Sequence, residues 1–263
     1  MPPERIALTS TQNPLLKRIR KAVQTGHATE EGWVIAEGPN LLAEVKRSPC
    51  ALELVLITPE ARERHRALLA EVDAQIVSVS ERALESVAGT EHTQGILAVV
   101  RLATWSWDDL TPEAAAVVAL DGVQDPGNAG AIVRSAEAFG ATGVIFLEGS
   151  ARVSNGKLLR AAAGSVFRVP FLESVSRDEL VSRLKSAHIA CYALAPRGQR
   201  AFTDACFRDS FAVVTGAEGA GISAEIAAAS EMLFIPARGV ESLNAAVACS
   251  LALFEAARQR GVL

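Results

Sequence analysis

The sequence predicts an α/β protein in which a smaller N-terminal α/β domain precedes a C-terminal domain built on a parallel sheet. Three observations carry this. From Ala115 onward, short apolar runs of strand length alternate with helix-length stretches, the pattern of a parallel sheet covered on both faces. Before about residue 103, helical and strand-like pieces are mixed without that alternation. Between them, TWSWDDLTPEA at 104–114 has two Trp, two Asp and a Pro with no period, and reads as a linker. The expected domains are therefore 1–103 and 115–263, joined by 104–114.

The elements follow in order. LLKRIRKAV is a helix, with Leu16, Ile19 and Val23 at helical spacing. ELVLI, QIVSVS and GILAVVRL are strands. In the second half AVVAL is a strand, followed by a helix from about Ala129 to Phe139 that Gly140 can cap. GVIFL, IACYAL, FAVVT and MLFIP are further strands, and DELVSRLKSA is a helix. A long helix from about Ser242 to Arg260 ends the chain. Its stripe of Val247, Leu251 and Phe254 belongs either to the core or to a partner-helix face.

Composition removes several classes of function. With 49% hydrophobic and 21% charged residues the chain is of ordinary globular type. No apolar run approaches the roughly 20 residues that cross a bilayer. The first residues lack the apolar core of a secretory signal, so a cytoplasmic location is expected and no membrane partner. Cys50, Cys191, Cys206 and Cys249 lack CxxC spacing, and His27, His65, His92 and His188 are isolated, so no metal is expected. A net charge of −4 argues mildly against nucleic acid. Lys17, Arg18, Arg20 and Lys21 form a local basic cluster, either a solvated helix face or an RNA footprint.

Three segments carry chemistry. In LDGVQDPGNAGAIVRSAEAFGATGVIF, 120–146, the Asp-Pro-Gly-Asn run is a turn by residue type, and Asn128 is a candidate helix cap. Arg134 then lies about a turn and a half into the helix. It is a surface arginine, or Asn128 orients it at the mouth of the sheet, where α/β proteins bind ligands. In VVTGAEGAGIS, 213–223, Gly216, Gly219 and Gly221 let backbone approach a ligand closely. The spacing is neither that of a P-loop nor that of a dinucleotide fingerprint. Glu218 in this loop either caps neighbouring N–H groups or supplies a confined carboxylate. In FIPARGVESLNAAVACSLALFEAARQR, 234–260, Ser242 is a candidate N-cap with Asn244 close behind.

In this order and spacing, the three segments resemble the SpoU family of RNA ribose methyltransferases, also called the TrmH family, across residues 115–263. ALTSTQNPLLKRIRK, 7–21, and WVIAEGPNLLAEV, 33–45, resemble the substrate-binding domain often fused to it, which is similar to the RNA-binding L30e/L7Ae ribosomal-protein fold. The resemblance implies a deep trefoil knot in the C-terminal domain, which no periodicity reveals. It implies S-adenosylmethionine as cofactor, walled by Leu194, the Gly216 to Gly219 loop with Glu218, the Ile235-Pro236 corner and the Leu243 backbone. It implies a homodimer whose active site is completed across the interface, to which the last helix contributes.

The implied reaction is attack of a ribose 2′-oxygen on a sulfonium methyl group. Arg134 is then the key residue, stabilising charge on that oxygen or losing its proton transiently with help from the RNA phosphate. Asn128 orients Arg134 or the ribose, Glu218 holds the loop or a substrate group, and Ser242 and Asn244 bond ribose and phosphate. In RVSNGKLLRAAAGSVFRVP, 152–170, Lys157 and Arg160 contact phosphate or belong to an ordinary amphipathic helix. The family often has Ser where Ala162 stands, which weakens that contact. Ribosomal RNA is the first expected substrate and transfer RNA the second. The alternatives are a knotted RNA-binding protein without catalysis, a methyltransferase acting on base nitrogen, and an open-sheet nucleotide-dependent oxidoreductase.

Overall fold

A computed structural model describes residues 8–70 and 72–263. Residues 1–7, which include the extreme N-terminus read for a signal and the first residue of the 7–21 stretch, lie outside the described residues. The chain forms two units: residues up to Thr104 together with Ser154–Arg168, and Trp105–Val153 together with Val169–Leu263.

The first unit contains α1 (Pro14–Thr25), β1 (Trp33–Glu37), α2 (Pro39–Val45), β2 (Ala51–Ile57), α3 (Pro59–Arg64), α4 (Arg66–Leu69), β3 (Gln75–Ser78), α5 (Glu81–Glu85) and β4 (Ile96–Arg101). Its sheet has the order β1-β4-β2-β3, with β4 antiparallel to both neighbours and β2 parallel to β3. Asn13 caps α1 through Leu15 N–H, Pro14 sits at its start, and Gly26 ends it at φ +68°. Leu16, Ile19 and Ala22 turn inward onto Leu56, Leu84 and Val99, which leaves Lys17, Arg18 and Lys21 exposed.

The second unit opens with α6 (Trp107–Leu110), β5 (Ala116–Asp121), α7 (Pro126–Ala138) and β6 (Gly143–Leu147). Then α8 (Gly156–Ala161) joins the first unit. The chain returns with β7 (Phe171–Val175), α9 (Arg177–Ser186), β8 (Ala190–Leu194), β9 (Arg200–Ala201), β10 (Phe211–Gly216), α10 (Ala224–Ala229), β11 (Glu231–Phe234) and α11 (Ala245–Arg260). The sheet order is β7-β6-β5-β10-β8-β11-β9, and every pairing is parallel. This is the parallel-sheet α/β class read from the alternation. Val117, Ala119, Ala212 and Val214 are buried toward one helical layer, and Ala116, Val213 and Phe211 toward α11.

Several boundaries differ from expectation. Ser154–Arg168 groups with the first unit, not with 115–263, because Val166 and Phe167 are buried there, Arg168 pairs with Glu44, and Cys50 Sγ meets Phe167 O at 3.4 Å. The stretch 104–114 is not a free linker. Trp105 and Trp107 pack on the second core, and Leu110 is fully buried. The last helix starts at Ala245 rather than Ser242. Strands β7 and β9 and helix α10 carry no periodicity strong enough to read.

Candidate active site

Because all seven strands run the same way, β5, β8, β10 and β11 end at one edge of the sheet. Their register agrees: Gly216 pairs with Asp121, Thr215 with Leu194, and Leu194 with Leu233. Beyond that edge the chain leaves in three loops, and these hold the three segments singled out in the sequence.

The first loop leads into α7. Asp125, not Asn128, is the N-cap: its carboxylate accepts from Asn128 N–H at 2.9 Å, and Pro126 occupies the first turn. Asn128 therefore lies inside the helix, and its amide is available for other work. Gly140, at φ +72°, follows the end of the helix as expected, with Ala141 N–H bonded to Ala136 O at 2.8 Å.

The second loop is a tight hairpin. Gly221 N–H donates to Ala217 O at 2.9 Å, and a Cβ on Gly216 would lie 2.3 Å from the Gly221 carbonyl. Only glycine permits that approach. Glu218 sits in this hairpin. The third loop ends at Asn244, which caps α11: its Oδ1 accepts from Ala246 N–H at 2.9 Å and Val247 N–H at 3.2 Å. With its oxygen so fixed, the amide nitrogen of Asn244 must face away from the helix.

Three side chains then close on one another. Asn128 Nδ2 donates to Glu218 Oε1 at 2.6 Å. Asn244 Nδ2 donates to Asn128 Oδ1 at 3.0 Å and to Glu218 Oε1 at 3.1 Å. One carboxylate oxygen takes both amides, while Glu218 Oε2 accepts no bond among the described residues.

The other two catalytic expectations stand apart. Arg134 is exposed on α7 and bonds to none of the described residues. Within the chain the Asn128 side chain bonds Glu218 and Asn244, not Arg134. Ser242 is exposed and is not the helix cap, but it borders the same cleft as Glu218 and Asn244.

That cleft measures about 950 Å³, within the range of small-molecule sites. Every residue expected to wall a cofactor lines it: Leu194, Gly216, Glu218, Gly219, Ile235, Pro236 and Leu243. Sequence reasoning missed Glu241, Val240 and Thr215. Glu241 adjoins Ser242 in a loop read only as exposed. Its presence matters, because Glu218 and Glu241 are the charged residues among those lining the cleft. Two carboxylates suit a cationic ligand and oppose a dinucleotide pyrophosphate, which needs cations or a helix N-terminus.

Beneath the cleft, burial pushes the Cys249 thiol up to about 12, so it is no nucleophile at neutral pH. Among the described residues no group of three or more His, Cys, Asp and Glu is placed to hold a metal. No helix among them is long and apolar enough to cross a membrane.

The six expected RNA-contacting residues all belong to the first unit. Arg20 is occupied internally, donating from Nε to Ser86 O at 2.7 Å and from Nη2 to Thr11 O at 3.0 Å. Arg18 pairs with Glu31 and lies 5.8 Å from the Trp33 ring centroid. Lys17, Lys21, Lys157 and Arg160 are exposed. Asn155 caps α8, so that short helix presents Lys157 and Arg160 while burying Leu158 and Leu159.

The profile of the SpoU rRNA Methylase family matches residues 115–254. That of the MRM3-like substrate binding domain matches residues 13–98. The chain is 31% identical over 249 residues to the 23S rRNA (guanosine(2553)-2′-O)-methyltransferase RlmP of Bacillus subtilis, covering 94% of this chain and 97% of that protein. It is 32% identical over 231 residues to the 23S rRNA (guanosine-2′-O-)-methyltransferase RlmB of a Burkholderia species, covering 84% and 94%. The crystal structure of an AdoMet-bound rRNA methyltransferase from Sinorhizobium meliloti superposes with a TM-score of 0.82 at 27% identity, over 95% of this chain and 97% of that one. With a family match across more than half its length and relatives aligned nearly end to end, the chain belongs to the SpoU rRNA Methylase family.

Proposed function

We infer that this enzyme transfers a methyl group from S-adenosylmethionine to a ribose 2′-hydroxyl of structured RNA, with ribosomal RNA the first candidate substrate. The observation that carries the reading is the Asn128–Glu218–Asn244 triangle at the border of an acidic cleft. The named activities of the relatives support the ribosomal choice; transfer RNA is the second reading.

The cleft fits the cofactor in size and charge, and much of its wall is backbone at Leu194 to Pro196, Gly216 to Gly221 and Ile235 to Ala237. When bound, S-adenosylmethionine supplies an electrophilic methyl on a sulfonium ion. The protein's share is alignment, worth several kcal/mol and up to roughly 7–11 in favourable cases. Glu218, locked by two amides, fixes the hairpin and offers its second oxygen. Asn128 and Asn244 hold that carboxylate in place. Ser242 receives ribose or phosphate. Arg134 acts as a fixed cation toward the reacting oxygen, since a guanidinium with pKa above about 12 is a poor base.

Arg134 reaches this site as part of a homodimer. Support comes from α11, which packs on α7 yet exposes Val247, Leu251 and Phe254 by 49%, 38% and 47%. An apolar stripe left uncovered along one helix suits a contact with a second copy. The first unit serves as the RNA-binding domain, of the L30e/L7Ae type, with Lys17, Lys21, Lys157 and Arg160 as its phosphate contacts. The second unit carries a trefoil knot; the late strand β10 lying between β5 and β8, and the return of α11 across β10, support that threading.

The test is incubation with labelled S-adenosylmethionine and separate pools of unmodified ribosomal and transfer RNA, followed by alkaline hydrolysis. A 2′-O-methyl group blocks cleavage on its 3′ side. Label in alkali-resistant dinucleotides is expected; label in mononucleotides places the methyl on a base and overturns the reading.

A further inference from the structure

One buried charge in the second unit has no part in the chemistry above. The carboxylate of Asp121, at the end of β5, is only 1% exposed. Its Oδ1 accepts a hydrogen bond from Arg177 Nε at 2.8 Å and lies 2.8 Å from Arg177 Nη2 in the same ion pair. Its Oδ2 receives the backbone N–H of Ser223 at 2.7 Å. Taking a carboxylate out of water is costly, and a buried ion pair is weak evidence for stability by itself. The position of this one explains it better.

Asp121 pairs in register with Gly216, the first residue of the Glu218 hairpin. Ser223 lies just past the hairpin's far end, before α10. The carboxylate therefore ties the exit of the hairpin to the strand that leads into α7 and Asn128. Arg177, at the start of α9, closes the carboxylate from the other side. Gly122 follows, and a Cβ there would lie 3.7 Å from Ala217 Cβ and 3.9 Å from Arg177 Nη2, so hairpin, β5 and Arg177 meet at one point. The two partners of the Asn128–Glu218 bond, 90 residues apart in sequence, are carried by segments that this one side chain joins.

We propose that Asp121 is a positioning residue for methyl transfer, holding the base of the Glu218 hairpin so that Glu218 meets Asn128 and Asn244. This rests on the methyltransferase reading and goes beyond it, because Asp121 is not among the residues lining the cleft. Asp121→Asn keeps the shape but sets an amide N–H against either Arg177 or the Ser223 N–H. A carboxylate displaced by about 1 Å can cost up to about a hundredfold in rate.

The experiment measures kcat and the KM for S-adenosylmethionine in wild type, Asp121→Asn, Glu218→Ala and the double variant, with amide hydrogen exchange on the same proteins. Expected is a large fall in kcat for Asp121→Asn, faster exchange at 217–223 with β5 and β10 still protected, and little further loss when Asp121→Asn is added to Glu218→Ala. A loss that multiplies fully on the Glu218→Ala background, or hairpin exchange equal to wild type, overturns the proposal. Should Asp121→Asn fail to fold, Arg177→Met and Arg177→Lys replace it, since Arg177 is partly exposed; Met is expected to reproduce the defect and Lys to restore part of the rate. Absence of methyl transfer in the wild type would defeat the functional reading, while the exchange comparison still decides whether Asp121 holds the hairpin.

Discussion

Asn244 Nδ2 lies 3.0 Å from Asn128 Oδ1, across 116 residues of chain. The bond links the start of α11 to the first turn of α7, and both residues also reach Glu218 Oε1. Asn244 thus has two jobs, since its oxygen caps α11. Asn244→Ala should lower stability by about 0.5–2 kcal/mol through removal of the cap and also cut kcat. Asn244→Asp separates the jobs. The carboxylate still caps the helix but sets a negative charge against Glu218, so thermal unfolding should stay near wild type while methyl transfer falls.

Arg134 is exposed and makes no bond to the described residues, so its removal should disturb folding by no more than about 0.5 kcal/mol. Arg134→Ala should nonetheless abolish methyl transfer and leave S-adenosylmethionine binding by calorimetry unchanged. Full activity in this variant would remove Arg134 from the mechanism.

Phe254 packs edge-on against Phe139 at 5.8 Å between ring centroids and still stands 47% exposed. A charge at the neighbouring Leu251 would sit in the middle of the stripe. Leu251→Asp is expected to shift the sedimentation equilibrium from dimer to monomer and to reduce activity in parallel, with the far-ultraviolet dichroism preserved.

The basic cluster on α1 divides by partner. Arg20 is clamped to Ser86 and Thr11, so Arg20→Ala should lower the melting temperature. Lys17 and Lys21 are exposed, so the double change to Ala should leave stability alone. It should instead weaken RNA binding and reduce the slope of log affinity against log salt by roughly 0.7–0.9 for each phosphate that is no longer neutralised.

Burial holds the Cys249 thiol at about 12, against an ordinary value of 9.0. From pH 9 upward the unfolded chain releases this proton while the folded chain keeps it. The unfolded state then binds fewer protons, so stability falls as pH rises, by up to about 1.4 kcal/mol per unit. Cys249→Ala should flatten that decline in denaturant titrations between pH 9 and 11. Below pH 9 the native protein should be alkylated at exposed Cys206 and spared at Cys249.

The family resemblance, not the local residue pattern, implied the walls of the cleft. What glycine and proline themselves mark is where backbone turns or comes close, as Gly216 admits no Cβ and Ile235-Pro236 follows β11. Cap assignments were misread by a few residues. Asp125 and Asn128 are both good caps, as are Ser242 and Asn244; Asn244 caps α11 with its oxygen while its nitrogen meets Asn128 and Glu218. Asn128 is claimed by Glu218, which leaves the cap to Asp125.

By itself the sequence determined the parallel-sheet class and the three segments at its carboxyl edge, because strand alternation and turn chemistry act over a few neighbouring residues; the residues that line the cleft followed only from the family those segments resemble. Only the tertiary structure decided that Ser154–Arg168 groups with the first unit, that Arg20 is spent internally while Lys17 and Lys21 are not, and that Glu218 is shared by two amides. Each of these is a contact between residues far apart in the chain. Burial, hydrogen-bond supply and charge compensation select such contacts, and they become defined only when the sheet has brought the segments together.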